Sequence, residues 1–175
     1  MRRENHAMRK KISLMAVLLA LVSIPLIGGG ASAERPSIVV NTFTLANGVN
    51  WPYDFKQLQL QTITELKIKD GTQFEVVAEA PKEIAGKVYL LDGEVLAWHA
   101  GNKAERMMVG YGSGRETAKI RYWLTDAATG QKVFEHADTI RQAFWDSEYA
   151  NSVGELAQPF ADKIAVRLKE AKLTK

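Results

Sequence analysis

The architecture of this chain is clearest in the sequence RETAKIRYWLTD, residues 115–126. Small or apolar residues occupy every second position from Ala118 to Leu124, and charged or polar residues lie between them, apart from Trp123. Because successive side chains of a strand point to opposite faces, this alternation predicts a strand with one buried and one exposed face. The residues predicted to be buried are Ile120, Tyr122 and Leu124, and those predicted to be exposed are Lys119 and Arg121.

Further strands are predicted on both sides of this one. Residues 127–130, AATG, are typical of a hairpin loop with glycine in the left-handed conformation, so residues 132–140 are expected to form the partner strand. Upstream, β-branched and apolar runs predict three more strands, at residues 36–45, 74–78 and 88–98. In the last of these runs, Asp92-Gly93 fits either a hairpin turn or a bulge within one strand.

Two helices are also predicted. Apolar residues from Phe55 to Leu66 approximate helical spacing and Asp70-Gly71 ends the segment, although the alternation at 58–62 leaves a strand open. An apolar stripe at 157–168 predicts a second helix, which we expect to begin near Pro159 because proline is tolerated in a first turn. The order of elements favours an α/β (α+β) two-layer sandwich, with a mixed, mainly antiparallel sheet of about five strands and two helices.

The amino end has the pattern of a secretion signal. Five basic residues precede an apolar run at 12–27, and Ala31-Ser32-Ala33 is the small-x-small pattern that signal peptidase recognises, whether Met1 or Met8 is the initiator. The run contains Pro25 and is shorter than the roughly 20 residues of a spanning helix. We expect residues 1–33 to be a cleaved signal peptide. Residues 34–175 are then a single soluble domain, periplasmic or secreted, with no stable membrane anchor after cleavage.

Charge and cysteine content narrow the possible partners. The signal segment holds five of the 23 Lys and Arg residues and one of the 20 Asp and Glu residues, so the remainder is nearly neutral. Nucleic-acid binding needs a concentrated basic face, and no basic run is present, so no nucleic-acid partner is expected. The chain has no cysteine, which excludes disulfides and a thiol-linked lipid.

The most conspicuous motif is the glycine-rich run Gly110-Tyr111-Gly112-Ser113-Gly114-Arg115. A dinucleotide fingerprint would need a third glycine at position 115 and a helix after it, and the run lacks the Gly-Lys-Ser/Thr end of a P-loop and the spacing of a nucleophile elbow. Two interpretations stay open. The glycines serve the start of a strand, where they accept positive φ, or they form a backbone nest that binds an anion or a partner segment with help from Arg115.

No catalytic residue, metal site or cofactor is predicted. The two histidines outside the signal segment, His99 and His136, would have to meet from neighbouring strands to bind a metal, and nothing in the sequence requires this. The aromatic residues that could anchor an interface are Trp123, on the side of its strand predicted to be exposed, and the group Phe144, Trp145 and Tyr149 before the last helix. Burial in the core is the alternative for each.

Four motifs carry a family resemblance: Leu91-x-Gly93-x-Val95-x-x-Trp98, Gly101-Asn102-x-Ala104-x-Arg106, the run from Val109 to Gly114, and Leu124-x-Asp126-Ala127-x-Thr129-Gly130. With these motifs, the chain resembles the bacterial envelope family catalogued as domain of unknown function 4410 over most of residues 37–170. The resemblance implies that Gly93 lies within a strand, which favours a bulge there over a hairpin. It implies no catalytic residue, because the family has no established activity. Many members resemble lipoproteins, from which this chain departs by having no cysteine.

The sequence therefore favours a non-catalytic exported envelope protein, such as a periplasmic binding or assembly factor. An envelope protein is a possible partner, and no oligomeric state is indicated. Two alternatives from other classes stay open: an envelope hydrolase that uses Ser113 with a histidine, and a carrier of a small ligand or anion at the glycine-rich loop.

The predicted cleavage can be tested by intact-mass analysis of periplasmic material. The mature chain should begin at Glu34-Arg35-Pro36, because signal peptidase cuts after the second small residue of its motif. A membrane-retained product that still carries residues 12–27 would contradict this prediction.

Overall fold

The alternation at residues 117–126 produces the strand that organises the sheet. The computed structural model describes residues 35–71, 73–80, 86–102, 114–142 and 153–173, all within one compact unit, Ala33–Lys175. Within those residues the elements in chain order are β1 (Ser37–Val40), β2 (Thr44–Leu45), α1 (Phe55–Asp70), β3 (Glu75–Val77), β4 (Val88–His99), β5 (Thr117–Asp126), β6 (Lys132–Arg141) and α2 (Gly154–Glu170).

The six strands form one open, mixed sheet. β1 pairs in parallel with β3 on one side and with β4 on the other, and β2 continues beside β4. The two longest pairings, β4 with β5 and β5 with β6, are antiparallel. The order across the sheet is β3-β1-β4-β5-β6, which leaves β3 and β6 at its edges.

Both helices pack against each other and against the sheet. Their inward residues meet alternate strand residues in one hydrophobic core, which includes Leu58 and Leu66 of α1 and Phe160 and Ile164 of α2. The molecule is therefore a two-layer α+β sandwich, as the sequence predicts. Neither of the two described helices is long and apolar enough to cross a membrane.

The register of β5 confirms the burial predicted for this strand. Ile120, Tyr122 and Leu124 are fully buried, whereas Lys119 and Arg121 are exposed. Burying one large apolar side chain stabilises a fold by about 1.5–3 kcal/mol. The inward side of β5 is therefore a main attachment between the sheet and the helical layer.

The strand predicted at 36–45 is divided in two. β1 ends at Val40 and β2 begins at Thr44. Between them Phe43 turns into the core, where it is 2% exposed and its ring meets the ring of Phe160 edge-on, with 5.5 Å between the centroids. Because this large ring gains more from burial than from staying in the ladder, the sheet has six strands rather than about five.

β4 is a single strand, as the family resemblance implies, but the bulge expected at Gly93 is wrong. The register shifts between Val95 and Ala97 instead. Gly93 stays in the ladder opposite Tyr122, and a Cβ atom at this position would lie 2.5 Å from Cδ1 of Phe43. The glycine therefore allows a ring to approach the backbone closely, which is the other common reason for glycine inside a strand.

α2 begins at Gly154, so the prediction that it starts near Pro159 is wrong. The first turn is closed by the N–H groups of Leu156 and Ala157, which donate to the carbonyl oxygen of Val153 at 3.1 and 2.9 Å. Leu156 and Ala157 are fully buried. Their burial offsets the hydrogen bond that Pro159 cannot donate inside the helix.

Gly93→Ala should destabilise the fold by about 1–3 kcal/mol, the usual cost of overpacking a core, because the new Cβ overlaps the Phe43 ring. Urea unfolding measures this loss. Phe43→Leu removes the ring, so Gly93→Ala should cost less in that background, and the double-mutant cycle should show coupling. Strictly additive losses would contradict this account of Gly93.

Candidate functional site

Trp123 lies on the face of the sheet turned away from the helices. Alternation places it opposite to the inward residues of β5, and its side chain is partly exposed. The residues directly across from it are Asp92 on β4 and Glu135 on β6. The ring of Trp123 therefore lies outside the core and is partly accessible, and its role as an interface anchor stays a prediction.

Two cations hold the Trp123 ring. Cζ of Arg121 lies 5.9 Å from the ring centroid and Nζ of Lys132 lies 5.6 Å from it, within the range of a cation–π interaction. Each cation also has a carboxylate partner: Arg121 binds Glu94, and Lys132 binds Glu135. The hydrogen bond from Lys132 lowers the pKa of Glu135, and the charges of Lys132 and Arg121 add to this.

We call this group of residues the Trp123 face, and it consists of Asp92, Glu94, Arg121, Trp123, Lys132 and Glu135. It offers an aromatic surface of fixed orientation bordered by both signs of charge. Such a surface suits binding rather than proton transfer, since its ionisable groups are already paired.

The glycine-rich loop is described only at its end. Gly110, Tyr111, Gly112 and Ser113 lie outside the described residues. Gly114 has φ +69°, a conformation that favours glycine, and its carbonyl oxygen accepts a hydrogen bond from the backbone N–H of Asn102 at 2.8 Å. A Cβ atom on Gly101 would lie 2.7 Å from that same oxygen. Backbone geometry thus accounts for glycine at 114, while binding by residues 110–115, including Arg115, stays a prediction.

The remaining candidate residues do not converge on a described site. Phe144, Trp145 and Tyr149 lie outside the described residues. His99 pairs with Thr117 and lies on the outer face, whereas His136 pairs with Tyr122 and lies on the inner face. Their partners Thr117 and Tyr122 are five residues apart in β5, which corresponds to about 17 Å along the strand. Among the residues that the structure describes, no group of three or more possible metal ligands occurs.

A buried carboxylate forms a cluster that sequence reasoning missed. Glu116 is 3% exposed, and both of its side-chain oxygens accept hydrogen bonds. The hydroxyl of Tyr53 donates to Oε2 at 2.7 Å, and Nε1 of Trp98 donates to Oε1 at 2.5 Å. Burial raises the pKa of Tyr53 above its ordinary 10.0, and the hydrogen bond to Glu116 raises it further, as do the charges of Glu116 and Glu155.

The same cluster reaches β6 and α2. The backbone N–H of Gln142 donates to the carbonyl oxygen of Glu116 at 2.9 Å, and the side-chain amide of Gln142 donates to Glu155 in the first turn of α2. Partners 13 to 63 residues apart in sequence meet here, so no local spacing could have indicated the cluster. Its donors and acceptors form hydrogen bonds with one another. We therefore assign the cluster a structural role, and we call it the Glu116 joint because it connects five segments of the chain.

A second polar cluster lies between β5, β6 and α2. The hydroxyl of Tyr122 donates to Oδ2 of Asp138 at 2.8 Å, and Arg167 binds Glu170 at 2.8 Å. Burial raises the pKa of Tyr122, and the hydrogen bond to Asp138 adds to this, while Arg167 lowers it. The hydrogen bond to Glu170 raises the pKa of Arg167, and a smaller contribution in the same direction comes from the hydrogen bond to Tyr122. The hydroxyl of Tyr122, the one polar group of a side chain that otherwise packs in the apolar core, therefore has a hydrogen-bond partner.

Comparisons with known proteins agree with this fold. A family model described as "Domain of unknown function (DUF4410)" matches residues 55–144, from the start of α1 to just past β6. No curated protein matches the sequence.

Solved structures with a similar fold have low sequence identity. A Xanthomonas campestris protein of family DUF330 aligns with TM-score 0.51 and 11% identity, covering 79% of this chain and 86% of that one. An uncharacterized protein aligns with TM-score 0.50 and 14% identity, covering 79% and 94%. The PelC dodecamer from Paraburkholderia phytofirmans gives TM-score 0.48 and 14% identity, covering 71% and 84%. At such identities a likeness concerns the fold, and function has to be argued from the site.

Tyr53 and Tyr122 should make the protein less stable at alkaline pH. Below pH 10 both are neutral in the folded and the unfolded chain, so their contribution to the free energy of unfolding is constant. Above pH 10 the unfolded chain loses these protons first, because the folded pKa values are raised above 10.0. The free energy of unfolding should therefore fall as the pH rises.

Urea unfolding at a series of pH values above 10 measures this decline. Tyr122→Phe should make the decline shallower, because the residue that titrates is gone, and Tyr53→Phe should do the same independently. A decline of unchanged slope in both variants would contradict the assignment.

Proposed function

Because the chain belongs to the DUF4410 family, a domain of unknown function, we propose its role from its own surface. It is a non-catalytic, exported envelope protein, and it acts as a binding or assembly factor that holds a protein partner on the Trp123 face. Residues 1–33 direct export and are removed, and residues 34–175 are the working domain in the periplasm.

The observation that carries this proposal is the half-exposed ring of Trp123, fixed between two cations on the sheet face away from the helices. Tryptophan and arginine are the residues that most often dominate binding energy at protein interfaces. A ring that is already oriented loses little conformational freedom when a partner covers it, so more of the contact energy appears as affinity.

Charge complementarity would set the specificity of this surface. The Trp123 face carries two cations, Arg121 and Lys132, and three carboxylates, which are distributed over β4, β5 and β6. A partner with a matching pattern gains favourable pairs at the rim, and a mismatched partner places like charges together. The partner class is therefore a folded protein surface or an extended segment with both signs of charge.

The two alternatives from other classes have less support. A hydrolase would need Ser113 close to His99 or His136, and because Ser113 lies outside the described residues, no observed contact supports such a pair. A carrier at the glycine-rich loop would need a nest at 110–115. Of the two described residues of that loop, Gly114 and Arg115, the glycine is accounted for by backbone geometry.

Site-specific photo-crosslinking in producing cells tests the proposal. A photo-reactive amino acid at position 123 should give a discrete protein adduct in the periplasm. The matched control is position 60, because Leu60 is also apolar and 46% exposed but lies on the helical layer. Adducts of the same pattern at both positions, or at neither, would contradict binding at the Trp123 face.

Once the adduct is identified, affinity for the purified partner gives the magnitude. Trp123→Ala should weaken binding by about 2 kcal/mol, roughly thirtyfold, as for a buried interface anchor. Leu60→Ala should leave affinity unchanged, and both variants should unfold at similar urea concentrations. Unchanged affinity of Trp123→Ala would rule out Trp123 as the anchor.

A further inference from the structure

The C-terminal ends of α1 and α2 lie at the same end of the molecule. Nζ of Lys169, in the last turn of α2, is 3.8 Å from Oδ1 of Asp70, the last residue of α1. The chain also enters the fold here, because Nη1 of Arg35 donates to the carbonyl oxygen of Gly71 at 2.9 Å.

This end of the molecule concentrates positive charge. The last turns of both helices, the residue after the α2 cap and the chain entrance contribute six cationic side chains, called the basic end: Arg35, Lys67, Lys69, Arg167, Lys169 and Lys172. Fewer carboxylates lie among them, namely Asp70, Asp162 beside Lys69, Glu170 beside Arg167, and Glu75, whose backbone N–H donates to the carbonyl oxygen of Pro36 at the chain entrance. Asp70 is only 1% exposed, so its negative charge contributes little to the accessible surface of the basic end.

Two exposed apolar side chains accompany the basic end. Ile68 is 74% exposed and Val166 is 50% exposed. Ile68 lies between Lys67 and Lys69 in α1, and Val166 follows Asp162, the partner of Lys69, by one turn of α2. Both point away from the core, because the buried residues of each helix lie on the opposite side. Cations at helix C-termini are favoured by the helix dipole, but the dipole gives no reason for exposed isoleucine and valine beside them.

We propose that the basic end docks on the surface of an anionic lipid bilayer, with Ile68 and Val166 entering the headgroup region. Lysines near such a surface are attracted by its negative potential, and apolar side chains beside them add affinity by leaving water. The docking surface is separate from the Trp123 face, which lies on the other layer.

Flotation of the purified mature protein with lipid vesicles tests the proposal. The protein should float with vesicles that contain phosphatidylglycerol, and much less with vesicles of phosphatidylcholine alone. Added salt should release it, since exposed charges are screened within about 10 Å at 0.1 M salt. Lys67→Gln combined with Lys172→Gln should lower partitioning roughly tenfold to thirtyfold, because each lysine near an anionic bilayer contributes about fivefold.

Matched controls separate docking from loss of charge in general. Lys56→Gln combined with Lys119→Gln removes the same charge from the first turn of α1 and from the sheet, and it should change partitioning little. Ile68→Ser should weaken flotation severalfold, whereas Leu60→Ser, two turns away on the same helix, should not. Equal partitioning into both vesicle types would overturn the proposal, as would equal losses from the two lysine pairs. All of these positions are exposed, so urea unfolding should show that each variant is folded.

Discussion

The buried carboxylate of Glu116 joins parts of the chain that no local signal brings together. Taking a carboxylate out of water is costly unless hydrogen bonds replace the lost hydration, and here Tyr53 and Trp98 supply one donor to each oxygen. These two bonds connect the segment before α1, the end of β4 and the start of β5. Through Gln142, the same point also positions the end of β6 and the first turn of α2.

This joint divides the molecule into regions with different roles. Around Glu116, the polar groups form hydrogen bonds with one another. These bonds fix the start of each helix relative to the sheet. The Trp123 face lies elsewhere, on the outer surface of the sheet, and the basic end lies where the two helices finish and are joined by the ion pairs of Lys69 with Asp162 and of Lys169 with Asp70. The exposed residues Lys67 and Lys172 can be changed with little effect on the packed core, whereas substitution of Glu116 would leave two partly buried donors without their acceptor.

Local patterns of sequence predicted the parts of the fold that local physics decides. The period of two in β5 determined which side chains are buried, and Gly130, at φ +69°, has the left-handed conformation expected from its loop. The helix expected from Phe55 to Asp70 also formed, with Asp54 accepting a hydrogen bond from the backbone N–H of Lys56 at 2.8 Å. Each of these features depends on neighbours only a few residues away.

Contacts between distant residues explain what sequence reasoning missed. The role of Gly93 depends on the Phe43 ring, and the first turn of α2 is retained because its side chains find a core that includes strand residues. The candidate site shows the same limit. The outward position of Trp123 follows from alternation, but the approach of Lys132 depends on a register shift between Leu124 and Thr125 that brings it opposite Thr125. A bulge of this kind has no clear signature in the sequence of β6.

The position of β1 has a consequence for when folding can finish. β1 is the first strand in the chain, yet it lies between β3 and β4, so its hydrogen bonds complete both neighbours. Its partners on β4, residues 88–91, are about fifty positions further along the chain, and closing so long a loop must precede the contacts that reward it. While β1 is unpaired, β3 has no neighbour in the sheet, so the pairing of β1 is the step that joins β3 to the antiparallel strands β4, β5 and β6.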